Sequence, residues 1–357
     1  MDTVLWGISA FLLHRMPPAV RAYVLDRANQ GVSARADTLF TRAALRDEIG
    51  SPLHLLVTDP NRHHSSAVTR MHVWEGDMPR GAIVDVLPDF DHVRSVAPLL
   101  ALFGMAPAMS ETNLIMALCE LCGRFSIYEP SAEVRVWLQG LIDAGSLSKL
   151  DGWRPVLTRE GKLTSLWCRP PVTSVAEARK FAEAVSWRRG HKRFARAVMR
   201  AFDGAASPFE VQAALRLGLP RRMGGSGFPE IRVNERIPLS PAARLIAGKV
   251  VCYADLLIEG REGTRPVIVE CQSKLIHASR EQSLADGERL MVLQSMGFTV
   301  VPLSFEQLVI PSVFASVERY LARELGLRIA PKSAALQRKE SALCRELFMD
   351  WTKLGRS

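Results

Sequence analysis

Two acidic residues lie inside apolar stretches in the carboxy-terminal half of the chain. Asp255 lies in the stretch Lys249–Ile258, and Glu270 lies in the stretch Arg265–Gln272. A buried carboxylate is costly unless it is paired or bound to a cation. Two such acids on neighbouring strands can share a Mg²⁺ ion, which takes oxygen ligands and often uses one or two carboxylates with water and phosphate. The alternative is that both acids sit at strand ends and face water.

The elements around these acids follow in the order helix, strand, strand, helix, strand. The polar link Gly260–Thr264 is short, so the two strands are predicted to pair antiparallel. A helix over residues 207–217 precedes them, and Ser207-Pro-Phe-Glu210 supplies an N-cap, a proline for the first turn and a capping-box glutamate. A helix over 279–296 follows, and a strand over 298–303 closes the segment.

In this order and spacing, the segment resembles the very-short-patch-repair-endonuclease-like domain family of the PD-(D/E)xK fold. The matching stretches span about 100 residues and are Ser207–Glu210, Tyr253–Asp255, Val267–Gln272, His277, Asp286–Arg289 and Gly297–Val300. The resemblance implies an α/β fold for the carboxy-terminal half, namely a restriction-endonuclease-like mixed sheet flanked by helices. It also implies that the protein is a Mg²⁺-dependent DNA endonuclease.

The same resemblance assigns the metal ligands. Asp255 and Glu270 would hold Mg²⁺ or Mn²⁺, and Cys271 would add its backbone carbonyl. Gln272 stands where the fold usually has a lysine, so a cation that orients water and offsets developing charge is missing there. Lys274, two residues further on, is a candidate to replace that lysine and to contact nucleic acid.

Two further residues complete the implied catalytic set of Asp255, Glu270, Gln272, Glu210 and His277. Glu210 matches a helix glutamate of the family, which either assists the metal or caps its helix. His277 is a candidate for phosphate contact or for general acid–base catalysis.

The charge of the chain favours a polyanionic partner. The formal net charge is +9 and the sequence pI is about 9.5, which points to nucleic acid first and to an anionic membrane surface second. Residues 186–200 contain six Lys or Arg and no acids, and a helix from His191 has one apolar face. The candidates for phosphate contact in this segment are Arg188, Arg189, Lys192 and Arg193. The alternative is an ordinary solvated helix face.

Cysteine usage and hydropathy exclude several other classes of protein. The six cysteines are irregularly spaced, which argues against a disulfide scaffold. Cys119 and Cys122 form a single CxxC inside an apolar stretch, so two core cysteines on a helix are favoured over a zinc site. The amino terminus has no basic region typical of a signal peptide, and no stretch resembles a membrane span. A cytoplasmic protein without a membrane partner is expected.

Four regions are expected along the chain: an α+β region over 1–100, a mainly helical linker over 101–205, the endonuclease-like domain over 206–312 and a helical tail over 313–357. In the first region, helices are predicted over 19–29 and 36–48, and strands over 52–58, 71–74 and 82–87. Residues 92–125 have a helical pattern, and residues 130–174 are punctuated like loops and short elements. His63-His64 is expected in a solvated loop.

The amino-terminal half resembles proteins linked to AbiEi-type antitoxins of type IV toxin–antitoxin systems. The resemblance rests on His54-Leu-Leu-Val-Thr and on the stretch that begins His92-Val-Arg-Ser-Val. It implies an alternative function, a non-catalytic nucleic-acid-binding regulator, and a structural interaction protein is a third hypothesis. Convergence of Asp255, Glu270 and Gln272 on one cleft rimmed by basic residues would favour the enzyme.

The basic segment gives a prediction about nucleic-acid binding. Replacing Arg188, Arg189, Lys192 and Arg193 by alanine is expected to weaken DNA binding and to flatten its salt dependence, by a slope of about one for each lost phosphate contact. Fluorescence anisotropy at several salt concentrations measures both quantities. An unchanged affinity and slope would assign the segment to an ordinary solvated face.

Overall fold

The computed structural model describes residues 3–29, 34–59, 61, 65–87, 93–146, 152–272 and 280–355. Within these residues the protein is mixed α/β, with 14 α-helices and three sheets. The chain forms two compact units. The first comprises Met1–Val156, Lys162–Ala201 and Asp350–Ser357, and the second comprises Leu157–Gly161 and Phe202–Met349. Among the described residues, no helix has the length and apolar character needed to cross a bilayer.

Eight strands and eight α-helices lie among the described residues up to Val198. The strands are β1 (Thr3–Leu5), β2 (Leu53–Val57), β3 (Thr69–Val73), β4 (Ile83–Asp85), β5 (Val93–Val96), β6 (Phe125–Ile127), β7 (Arg154–Leu157) and β8 (Leu163–Cys168). The helices are α1 (Gly7–Arg15), α2 (Pro18–Asn29), α3 (Ala34–Ile49), α4 (Pro98–Met105), α5 (Glu111–Cys122), α6 (Ala132–Asp143), α7 (Val175–Ala184) and α8 (His191–Val198).

These strands form a five-stranded sheet in the order β3-β2-β1-β5-β4 and a three-stranded sheet in the order β6-β8-β7. A buried ion pair lies in this unit: Arg15 Nη2 is 2.6 Å from Glu120 Oε2, and both side chains are 2% exposed. The backbone N–H of Ile127 donates to Glu120 Oε1, and Arg169 Nη2 donates to the Glu120 carbonyl. These bonds offset part of the cost of burying the Glu120 carboxylate, and they tie α5 to Arg15, Ile127 and Arg169.

Two expectations for this unit are corrected by the structure. The stretch 92–125 was expected to be helical throughout, but Val93–Val96 forms β5, which pairs parallel with β1. The apolar residues of β5 run directly into those of α4, so the change from strand to helical periodicity could not be recognised in the sequence. The stretch 130–174 was expected to contain loops and short elements, but it includes the twelve-residue helix α6. Only Val134 and Leu138 of α6 are buried, so its helical period was weak.

Other expectations for this unit are confirmed. The helices predicted over 19–29 and 36–48 correspond to α2 and α3, and the three predicted strands correspond to β2, β3 and β4. Ser110 caps α5, because its side chain accepts from the backbone N–H of Asn113. Cys119 and Cys122 are buried on α5, as expected for core cysteines. The six cysteines are all described, and none forms a disulfide. His63-His64 lies outside the described residues.

Beyond Val198, the part of the chain that the structure describes contains four strands and six α-helices. They are α9 (Pro208–Gly218), β9 (Ile231–Pro238), α10 (Pro241–Ala247), β10 (Val251–Ile258), β11 (Val267–Gln272), α11 (Arg280–Ser295), β12 (Thr299–Ser304), α12 (Phe305–Val309), α13 (Pro311–Glu324) and α14 (Ala334–Leu347). The strands form one sheet in the order β12-β11-β10-β9. As predicted, β10 and β11 are antiparallel, and β12 then runs parallel to β11. Strand β9 and helix α10 were not predicted.

Each face of this sheet has its own apolar core. One core contains Leu256, Ile258 and Val269 of the sheet with Phe209 of α9 and Phe314 of α13. Burying such side chains is the main favourable contribution to the stability of this unit. The sheet is therefore held between helices on both faces.

The other core contains Cys252, Ala254 and Ile268 of the sheet with Ala243 of α10 and Leu293 of α11. Strand β10 thus contributes Cys252 and Ala254 to this core but Leu256 to the opposite one, although strict alternation would keep all three on one face. The break in alternation falls at Asp255.

Asn234 of β9 lies opposite this break. The register pairs Ala254 with Glu235 and Leu256 with Val233, which places Asn234 across from Asp255. Asn234 is left-handed, with φ of 51°, and its side-chain amide donates to the Gly204 carbonyl at 2.9 Å. Asparagine adopts this left-handed conformation more readily than most other non-glycine residues.

Substitutions at Asn234 test whether this backbone conformation supports the strand. Asn234→Val is expected to lower the free energy of unfolding by about 2–3 kcal/mol, because a β-branched residue is strained at positive φ and the bond to Gly204 is lost. Asn234→Gly loses the bond without the strain and is expected to cost about 1 kcal/mol. Arg236→Val, at an exposed position of the same strand, is the control. Denaturant unfolding gives the three values, and equal values for the two Asn234 variants would contradict a role for the conformation.

Candidate functional site

Asp255 and Glu270 lie near each other on the two central strands. The antiparallel register of β10 and β11 pairs Leu256 with Val269, and Asp255 and Glu270 adjoin this pair on their strands. The charges of both acids also act on the pKa of Glu210, so the three carboxylates are within electrostatic reach of one another. Asp255 Oδ2 accepts a hydrogen bond of 2.7 Å from the backbone N–H of Cys271, the residue after Glu270. The two acids therefore lie close together on neighbouring strands.

Glu270 is the more deeply buried of the two acids, with 8% of its surface exposed. Arg289 of α11 forms an ion pair with it, through a hydrogen bond from Nη2 to Glu270 Oε2. A guanidinium placed here offsets the charge that the buried carboxylate brings to the sheet. Arg289 was not among the predicted site residues, although it belongs to a stretch that carries the family resemblance. The feature that could have indicated a role for Arg289 is its position on the helix that follows the two strands.

Glu210 is a third carboxylate near the same point. Its Oε1 and Oε2 accept hydrogen bonds from the Ser207 hydroxyl at 2.9 Å and from the Ala206 backbone N–H at 2.8 Å, and Ser207 Oγ accepts from the Glu210 backbone N–H. The predicted capping role at the start of α9 is present. Burial, and then the neighbouring charge of Asp255, raise the pKa of Glu210 to about 7, and Glu270 adds to the rise.

The thiol of Cys271 lies among the same charges. Burial raises its pKa well above the usual value, and the negative charges of Asp255, Glu210 and Glu270 raise it further. The thiol is therefore neutral at physiological pH and is a poor metal ligand, because metals bind the thiolate. Only the backbone of Cys271 fits the role that the resemblance implied. Gln272, the next residue, is exposed at the end of β11 and pairs in register with Ser304 of β12.

The remaining predicted residues of this region, Lys274 and His277, lie outside the described residues. In the part of the chain that is described, no group of three or more His, Cys, Asp or Glu residues is arranged to hold a metal ion. A metal at this point would therefore be held by the two carboxylates of Asp255 and Glu270, with the other ligands from the backbone, water or substrate. Mg²⁺ accepts such a donor set, because it commonly binds through one or two carboxylates and keeps several waters.

The predicted nucleic-acid-binding residues of the first unit fall into two groups. Arg188 and Arg193 bond to backbone carbonyls of their own unit. Arg188 Nη2 donates to the Glu75 and Asp77 carbonyls, and Arg193 Nη1 donates to three carbonyls between Ala106 and Met109, the shortest at 2.7 Å. These two cations fix loops, whatever else they contact.

Arg189 and Lys192 form the second group. Both side chains are exposed, and neither has an ion-pair partner among the described residues. Two other cations of the segment, Arg196 and Arg200, both pair with Glu111. The charge that is available for phosphate is therefore concentrated at Arg189 and Lys192.

The raised pKa of Glu210 predicts how stability depends on pH. The folded state holds the proton more tightly than the unfolded chain, whose pKa is near the ordinary 4.5. The stability from this group is fully present below about pH 4.5 and is lost as the pH rises through about 7. Glu210→Gln removes this titration, so between pH 5 and 8 the wild type should lose up to about 3 kcal/mol relative to that variant.

Urea unfolding at a series of pH values measures the difference. Glu230→Gln, at an exposed position before β9, is the control and should follow the wild type. Parallel pH profiles for the wild type and Glu210→Gln would show that Glu210 is not buried among like charges.

Comparison with known proteins adds no relative to this geometry. No family model, no curated protein and no solved structure matches the chain.

Proposed function

We propose that the second unit is a Mg²⁺-dependent DNA endonuclease of the PD-(D/E)xK kind, acting by phosphodiester hydrolysis. The observation that carries the proposal is the closeness of Asp255 and Glu270 on the two central strands of a sheet covered on both faces. Two carboxylates in such a place are costly unless a cation is bound or close by. The helices α9 and α11 and the strand β12 stand in the expected order around them.

The residues that would hold Mg²⁺ are Asp255 and Glu270, through their carboxylates, and Cys271, through its carbonyl. When bound there, Mg²⁺ would lower the pKa of water and polarise a phosphoryl oxygen. The backbone N–H of Cys271 already donates to Asp255 Oδ2. This hydrogen bond restricts the rotation of the Asp255 carboxylate. A ligand that is held in place before binding gives up less entropy when it binds.

Arg289 can supply the cation that Gln272 does not. Its guanidinium lies against Glu270, and a guanidinium presents several N–H groups that match phosphate oxygens. We assign Arg289 to binding the phosphate next to Glu270. Gln272, exposed and neutral at the end of β11, can orient water through its amide but cannot offset charge.

Glu210 acts in this proposal through its charge and its proton. Both of its carboxylate oxygens already accept hydrogen bonds within the cap of α9. Its pKa of about 7 means that it exchanges a proton near neutral pH, in the range in which general acid–base catalysis is efficient. A cation bound at Asp255 and Glu270 would lower that pKa, so metal binding should release a proton.

The alternative function is a non-catalytic nucleic-acid-binding regulator. The ion pair between Glu270 and Arg289 favours it, because an internal guanidinium can neutralise the site without any metal. The glutamine at position 272 favours it as well, since the usual lysine is absent. The two functions share a nucleic-acid partner and differ in turnover, so one assay separates them.

A nicking assay on supercoiled plasmid with Mg²⁺ or Mn²⁺ tests the proposal. The wild type should nick the plasmid, and Asp255→Asn and Glu270→Gln should each lower the rate about 100-fold or more, because each removes a ligand charge that holds the metal ion. Glu259→Gln is the matched control, since Glu259 directly follows β10 and pairs with Arg232. It should keep the wild-type rate.

Thermal unfolding of the same proteins provides a readout that does not depend on turnover. Mg²⁺ should raise the melting temperature of the wild type and of Glu259→Gln but not that of Asp255→Asn. Without metal, Asp255→Asn should be at least as stable as the wild type, because it removes repulsion between like charges. If the wild type binds plasmid but neither nicks it nor responds to either metal, the regulator is the correct assignment.

A further inference from the structure

An exposed tryptophan stands in the basic segment of the first unit. Trp187 lies between α7 and α8, and 71% of its surface is exposed. The guanidinium carbon of Arg188 lies 4.1 Å from the centre of the Trp187 ring and 3.5 Å from the centre of the Trp74 ring. Trp74 is itself buried, with 6% of its surface exposed. The exposed ring of Trp187 therefore contacts the Arg188 guanidinium, which in turn contacts the buried ring of Trp74.

The cation beneath Trp187 is firmly placed. Arg188 Nη2 donates to the Glu75 carbonyl at 2.9 Å and to the Asp77 carbonyl at 3.2 Å. Trp74 Nε1 also donates to the Asp77 carbonyl, at 3.2 Å. The two cation–π contacts add modestly to these hydrogen bonds, as at other solvent-accessible sites. The orientation of Trp187 is thus restricted before any partner binds, and this lowers the entropy that binding would cost.

Exposed positive charge lies close to this ring in the sequence. Arg189 follows Arg188 directly, and Lys192 is in the first turn of α8. Both are exposed, and among the described residues neither has a carboxylate partner, whereas Glu111 neutralises the cations further along the helix. The surface therefore combines an aromatic face with cations that are free to contact phosphate.

We propose that Trp187 stacks on an unpaired base while Arg189 and Lys192 contact the adjoining phosphates, so that the first unit binds single-stranded nucleic acid. Every base has a π face, but in a duplex those faces are covered by neighbouring base pairs. An aromatic platform flanked by cations is the arrangement that single strands require. This inference rests on the nucleic acid of the proposed function, and it adds which form of nucleic acid this unit selects.

Fluorescence anisotropy in EDTA tests the inference, because without metal no cleavage disturbs the measurement. The probes are a fluorescein-labelled oligothymidine and a labelled duplex of equal length. Trp187→Ala should weaken binding of the oligothymidine by about 5- to 150-fold, the range for the loss of one base stack, and should change duplex binding much less. Trp187→Phe should restore most of the affinity, because it keeps an aromatic face.

Met199→Ala is the matched control. Met199 follows α8 in the same basic segment and is 76% exposed, but it offers no aromatic face. It should bind like the wild type. The double variant Arg189→Ala, Lys192→Ala should lower affinity and reduce the slope of its salt dependence by about one for each lost phosphate contact. Circular dichroism should show all variants to be folded, since all four positions are exposed.

Three results would overturn the inference. They are equal affinity of Trp187→Ala and the wild type for the oligothymidine, an equal loss on both probes, and binding of vesicles with anionic lipids that depends on Trp187 while oligothymidine binding does not. The nuclease proposal fails in a different assay. A wild type that never nicks plasmid but stacks on oligothymidine through Trp187 would refute the nuclease and support this inference, and active enzyme with unchanged Trp187→Ala binding would do the reverse.

Discussion

The second unit is organised around one electrostatic constraint, which is that three carboxylates lie close together at one point of a buried sheet. Burial and mutual repulsion both oppose their ionisation. Each acid is compensated by a different element: Glu210 by the start of α9, Asp255 by the backbone of β11, and Glu270 by Arg289 of α11. If any of these elements shifted, an acid would lose its partner. The arrangement of helices and strands is therefore tied to the site and not only to the apolar cores.

The parts of this unit that the sequence predicted are those with strong local signals. Strands β10 and β11 have long apolar runs, and α9 begins with a serine, a proline and a glutamate in the right places. The Asp255 and Glu270 pairing followed from a short link between two strands. Strand β9 was missed because Arg232, Glu235 and Arg236 interrupt its alternation, as is common for a strand at the edge of a sheet.

Contacts between distant parts of the chain were beyond sequence reasoning. The hydrogen bond from the Cys271 N–H to Asp255 depends on strand register, and the ion pair of Glu270 with Arg289 depends on how α11 packs. The basic segment makes the same point. The sequence shows six Lys or Arg within the fifteen residues 186–200. Only the structure shows that Arg193 is bonded to the carbonyls of a loop, whereas Lys192 is exposed. Net charge describes attraction to a polyanion, and geometry decides which side chains carry it.

The break in alternation at Asp255 has a consequence for how the site responds to damage elsewhere. The strand is anchored to one core by Ala254 and to the opposite core by Leu256, so the backbone at Asp255 is set by both at once. A cavity opened in either core would shift the backbone at Asp255, because close-packed interiors transmit such displacements. The position of the Asp255 carboxylate therefore depends on the packing of both cores. A substitution in either core therefore acts on the position of Asp255 through its neighbours in the strand.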